Sequence, residues 1–133
     1  MADLVITASD VVLISGATST HDAAEAVTAG NWVYKASDTT VGVASNASAS
    51  KATVAGIALN SAATGQPVTY AKDGAEVTIG TPATLLAWYV LSAAGATSPV
   101  ADQTMNDYGS LVGYGSSGTA IKVTIVNTGE QAP

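Results

Sequence analysis

The chain has no cysteine, no arginine and no phenylalanine. Without cysteine there is neither a disulfide framework nor a thiolate metal site. Without arginine, and with Lys35, Lys51, Lys72 and Lys122 scattered singly, it lacks the clustered cations that displace counterions from a nucleic-acid backbone. A net charge of −6 argues equally against anionic membranes. Charged residues of any sign make up only 11 %, against about 25 % in ordinary soluble domains. A surface this poor in charge is covered by Ser, Thr, Asn, Gly and Ala, or by another protein. No basic n-region with a long apolar stretch opens the chain, and no run reaches the length of a membrane span. The expectation is a protein made in a cytoplasm that stays soluble there or joins an assembly built there.

What the 133 residues do contain is 47 % apolar side chains, dominated by Ala and Val. Small and β-branched side chains suit a pleated sheet better than a ridged helical bundle. The chain is long enough for one domain with its own core. Short apolar runs recur at 11–15, 31–36, 40–45, 52–59, 66–72, 76–80, 85–92, 108–115 and 120–126, with a further run at 4–6. Turn clusters of Gly, Ser, Asn and Asp separate them, the pattern of a sandwich or barrel. The expected fold is all-β: a compact antiparallel β-barrel or jelly-roll-like sandwich over residues 1–133, with at most short helical turns. The first 20 residues are expected to form an N-terminal strand or arm that extends in an assembly. Asp73-Gly74 reads as a tight hairpin. Asp22 to Glu25 has a capping-box shape and is assigned to a loop with a single helical turn; Thr104 to Asp107 reads as a second such turn.

An approximate repeat runs through these strands. "NWVYKA" leads to "VAGIALNSAATGQPVTY", and "AWYVLSA" leads to "LVGYGSSGTAIKVTI". On this pattern Tyr34 matches Tyr89 and Gly56 matches Gly113, and two similar β units pack face to face around a shared core.

The second copy contains "GYGSSG" (113–118), a complete G-x-G-x-x-G. A dinucleotide loop needs a helix after it, because the helix N-terminus helps hold the phosphates. The next residues are instead the β-branched alternating run "TAIKVTIV", and the chain has neither the Arg nor the Phe of kinase signatures. The six residues therefore read as a hairpin turn, equivalent to "GIALNSAATG" in the first copy. His21 is the sole histidine. Ser19, His21 and Asp22 are chain neighbours, which do not make a nucleophile–base–orienter geometry, and His21 with Asp22 and Glu25 lacks a second imidazole for a metal. His21 is expected to be a solvated loop residue. No catalytic, cofactor-binding or metal-ligating residue is assigned, and no enzymatic activity.

The bulky residues are Trp32, Tyr34, Tyr70, Trp88, Tyr89, Tyr108 and Tyr114. Strand alternation puts Trp32 and Tyr34 on one face and Val33 and Lys35 on the other, and Trp88 opposite to Tyr89. Such aromatics serve as core filling, as protein–protein anchors, or as a sugar-stacking platform. Leu4, Val5, Ile6, Trp32, Tyr34, Trp88 and Tyr114 are the candidate interface residues.

Thr28-Ala29-Gly30 before Val33-Tyr34, Gly56-Ile57-Ala58-Leu59-Asn60 before Gly65-Gln66-Pro67-Val68, Tyr89-Val90-Leu91-Ser92, Ser98-Pro99-Val100-Ala101-Asp102 and Leu111-Val112-Gly113 form a series along nearly the whole chain. With the opening "ADLVITASDVV", this series resembles the capsid cement, or head decoration, proteins of tailed bacteriophages. Residues 17–26 and 38–50 match nothing specific in that family. The resemblance implies a virion protein on the capsid exterior, assembled in the bacterial host cytoplasm. It would bind the major capsid protein across capsomer boundaries and associate with itself, as a homotrimer before a homodimer. A phage fibre or tail module that binds carbohydrate or a host surface is the alternative.

Overall fold

A computed structural model describes residues 6–48, 50–79, 87–92, 95–99, 108–117 and 119–131. The fold is all-β. In chain order the strands are β1 (Val12–Ser15), β2 (Thr18–Ala23), β3 (Trp32–Lys35), β4 (Thr40–Val43), β5 (Val54–Ala58), β6 (Pro67–Ala71), β7 (Glu76–Thr78), β8 (Trp88–Leu91), β9 (Thr97–Pro99), β10 (Tyr108–Gly115) and β11 (Ala120–Gln131). A 3-10 turn spans Ala8–Asp10. Strands β2-β4-β3-β5-β6 close into a barrel, and β1-β7-β11-β10-β8-β9 form a six-stranded open sheet. All pairs are antiparallel except β2 with β4, whose parallel pairing closes the barrel.

The repeat is carried by these two bodies, strand for strand. The barrel runs β2-β6-β5-β3-β4 and the sheet runs β7-β11-β10-β8-β9, so five consecutive strands pair in the same order twice. The register repeats as well. Trp32 faces Ile57 and Val33 faces Gly56; Trp88 faces Tyr114 and Tyr89 faces Gly113. In each copy the ladder then skips one residue, Ala55 or Val112, as a bulge. The next ladder repeats too, with Ile57 opposite Ala71 and Tyr114 opposite Lys122. Trp32 is thus the counterpart of Trp88, and the expected match of Tyr34 with Tyr89 is off by one residue. The tyrosine stands two places after Trp32 but one place after Trp88, so matching Tyr with Tyr shifts the two copies by one residue.

The two units do not pack as equal halves around one core. The barrel has its own interior of Val33, Val41, Ala58, Val68 and Tyr70 with small alanines. Its outer face, carrying Trp32, Val54, Ile57 and Ala71, is covered by the inner face of the sheet, carrying Val77, Ile79, Tyr89, Leu91, Val112, Ile121 and Val123. Polar ties cross this boundary among the described residues. Trp32 Nε1 donates to Thr97 Oγ1 at 2.7 Å, the Asn127 side chain accepts from Val54 N at 2.9 Å and donates to Val54 O at 3.3 Å, and Ser110 Oγ donates to Ala52 O.

Several local expectations change. Gly74 has φ +92° and makes a turn at Asp73-Gly74, but the strands on either side do not pair. The turn is a crossover from barrel to sheet, with Gly74 N bonded to Val123 O. The expected helical turn at Asp22 falls partly on β2, which ends at Ala23. Ile6 lies outside any strand, while Leu4, Val5 and residues 104–107 lie outside the described residues.

Candidate functional site

The candidate interface residues separate into two environments. Trp32 is fully buried, its indole N–H satisfied by Thr97, and so serves as core rather than as contact surface. Tyr34 is half-buried against that core, its ring over Gly42, where an added Cβ would come within 3.0 Å of Tyr34 Cε1. Ile6 is half-buried against the same cluster, next to Gly30. Trp88 and Tyr114 are different. They face each other across β8 and β10 on the outer side of the open sheet, with ring centroids 5.0 Å apart and planes inclined by 53°. Trp88 stays 43 % exposed.

The surroundings of this pair are built by period-2 alternation. On β11, Ile121 and Val123 point inward to the shared core, so Lys122 points outward beside Tyr114. On β7, Val77 points inward, leaving Glu76 and Thr78 on the outer face, with Glu76 directly opposite Lys122. Ser116 Oγ donates to Glu76 Oε2 at 2.8 Å. On β1, Leu13 packs inward while Val12 pairs with Thr78 on the outside; Ile14 sits at the adjoining bulge. Val126, opposite Leu111, extends the face on β11. Val12, Ile14 and Val126 are 57 %, 52 % and 50 % exposed, and with Trp88 they are the large apolar side chains exposed among the described residues. All four lie on the open sheet.

The sequence hides this concentration. Val12 and Ile14 belong to "VVLIS" and Val126 to "AIKVTIV", which read as apolar strand runs; nothing local says which of their side chains stay exposed.

A second cluster lies in the barrel. His21 is not a loop residue: it sits on β2, half-buried, with its Nδ1 3.0 Å from the Tyr70 hydroxyl and its ring stacked on Tyr70. Burial raises the Tyr70 phenol above its ordinary value, and a hydrogen bond from Ser19 partly opposes that. Ser19 and His21 share the inner side of β2, whereas Asp22 is exposed on the other, so the three do not converge. Among the described residues, no group of three or more His, Asp or Glu side chains could hold a metal ion.

Of the "GYGSSG" stretch, residues 113–115 are still β10 and pair with residues 121–123; the turn that follows joins β10 and β11 in an antiparallel hairpin, and β11 rather than a helix comes after it. The equivalent turn joins β5 and β6. No family model matches the chain, and neither does any curated protein.

Proposed function

We propose that this chain is a structural virion protein that binds the outer surface of a tailed-phage capsid and stabilises it by bridging neighbouring capsomers, without catalysis or a cofactor. The observation that carries it is the motif series from Thr28 to Gly113, which resembles the capsid cement proteins along nearly the whole chain. The physical chemistry is compatible. A shell under pressure from packed DNA fails when capsomers separate, so a subunit that spans two or three must be detached first. Each contact is allowed to be weak, because an oligomer engaging several sites gains effective concentration. An acidic, arginine-free surface suits a position outside the shell, away from phosphates.

Cryo-electron microscopy of the virion that encodes this chain tests the proposal. The expected result is density for the fold of a barrel and an open sheet on the capsid exterior; a bare exterior overturns it.

A carbohydrate-binding fibre or tail module would use exposed, coplanar aromatics. Trp32 is buried, and the Trp88 and Tyr114 planes are inclined by 53°. A glycan panel that shifts Trp88 fluorescence would favour that module over the cement.

A further inference from the structure

The duplication supplies an internal comparison for the outer face of the open sheet. Trp32, Ile57 and Ala71 form one cross-strand row on the barrel exterior, and the register places Trp88, Tyr114 and Lys122 at the same positions in the sheet. The first row is buried because a β-sheet of this same chain lies over it. The second row has no such cover among the described residues, and the four exposed large apolar side chains gather around it. A patch of this kind on a chain with so few charges marks a contact surface.

The arrangement of the face identifies what covers it. Across the sheet the strand order β1-β7-β11-β10-β8 presents Val12 and Ile14, then Glu76 and Thr78, then Lys122 and Val126, then Tyr114 with Leu111, then Trp88, with Val90 on the same face but buried. We infer that this face is the interface with a second copy of the chain, packed sheet on sheet about a two-fold axis that passes between β7 and β11. That axis sets β7 of one copy against β11 of the other, so Glu76 meets Lys122 and Lys122 meets Glu76. It also sets β1 against β10, so Val12 and Ile14 meet the Tyr114 ring and Trp88 closes over the far edge. An isologous contact requires a patch complementary to itself, and this one is complementary in both charge and apolarity. Face-to-face sheets pack about 10 Å apart, the spacing at which facing side chains interdigitate. The two-fold selects the dimer over the trimer that the family resemblance puts first. The inference does not rest on the capsid role and stands or falls separately.

Sedimentation equilibrium of the full chain tests it. The expected species at tens of micromolar is a dimer of the 13.1 kDa chain. Trp88→Ala should weaken the dimer by about tenfold or more, as for an interface anchor. Lys122→Glu and Glu76→Lys should each be monomeric, since each sets like charges against each other twice. Mixed in equal amounts, those two variants should form a heterodimer, because both contacts are then opposite in sign. Circular dichroism of each variant verifies that the fold is kept. If a charge variant fails to fold, Trp88→Ala and Tyr114→Ala decide the matter. A wild-type monomer, a trimer, or a dimer indifferent to the substitutions that fold overturns the inference, and so does a mixture of folded charge variants that stays monomeric.

Discussion

Gly56 and Gly113 do the same thing in the two units. Each sits beside a bulge on the middle strand of its unit, and each lets the next strand come very close. A Cβ at 56 would lie 2.1 Å from Ala71 O, and one at 113 would lie 2.3 Å from Lys122 O. Backbone oxygens in a ladder cannot swing aside as a flexible side chain can. Gly56→Ala or Gly113→Ala should therefore cost about 2 kcal/mol or more, as overpacked sites do. Gly65 gives the contrast: nothing lies within 4 Å of its added Cβ, and only its φ of +86° penalises alanine, by about 1 kcal/mol. Urea denaturation of the three variants checks the order; equal midpoints for all three would contradict it.

The tryptophans make a second pair at this scale. Both open the same ladder, yet only Trp32 is enclosed and hydrogen-bonded. Trp32→Phe leaves the Thr97 hydroxyl buried without its donor and should cost about 1–3 kcal/mol. Trp88→Phe should change the stability of the monomer by no more than about 0.5 kcal/mol. The two midpoints can be read in dilute protein, where self-association does not contribute. Tyr70 adds a pH dependence. Its phenol is raised by burial, so the folded state favours the neutral form. That contribution is complete below the unfolded value near 10 and is lost as pH rises through the raised folded value. Wild type should thus lose stability more steeply than Tyr70→Phe above about pH 10; parallel curves would show that Tyr70 is not responsible.

At the scale of elements, strands with alternating or continuous apolar residues were legible, and those without were not. The runs at 31–36, 40–45, 108–115 and 120–126 correspond to β3, β4, β10 and β11. β2 escaped because its inward residues are Ser19, His21 and Ala23, which carry little apolar contrast with Thr18, Thr20 and Asp22. What makes it a strand is pairing on both sides, with β6 and with β4. β9 escaped for a related reason, since Thr97 and Ser98 are buried polar residues whose place depends on Trp32 and β8. Asn127 shows how one side chain substitutes for a strand. Its amide meets both the N–H and the carbonyl of Val54, as a neighbouring backbone would. Asn127→Asp keeps the acceptor but loses the donor, and should cost about 1 kcal/mol. Thermal denaturation of that variant beside wild type measures it; an unchanged midpoint would mean that the clamp contributes nothing.

For the whole molecule, the decisive fact is that the second unit is filled by the first. In the barrel, the parallel pairing of β2 with β4 closes the sheet over small residues. In the sheet, β1 takes the corresponding side of β7, and the inner face is occupied by Trp32, Val54, Ile57 and Ala71 from the barrel exterior. Neither half can present its larger core without the other. The full chain should accordingly unfold in one cooperative transition, coincident by tryptophan fluorescence and circular dichroism. Two separated transitions would show that the barrel stands alone.

The all-β class, the positions of most strands, the hairpin turns after Ala58 and Gly115 and the existence of a repeat can all be read from the residues in order. These depend on side-chain period, turn chemistry and residue size, which are local. Long-range packing settles that one unit closes and its copy stays open, that Asp73-Gly74 crosses between them rather than folding back, and that Trp32 is buried while Trp88 stays exposed. Those outcomes depend on which sheet face finds an apolar partner far away in the chain, and two strands with nearly the same residues can meet opposite ends.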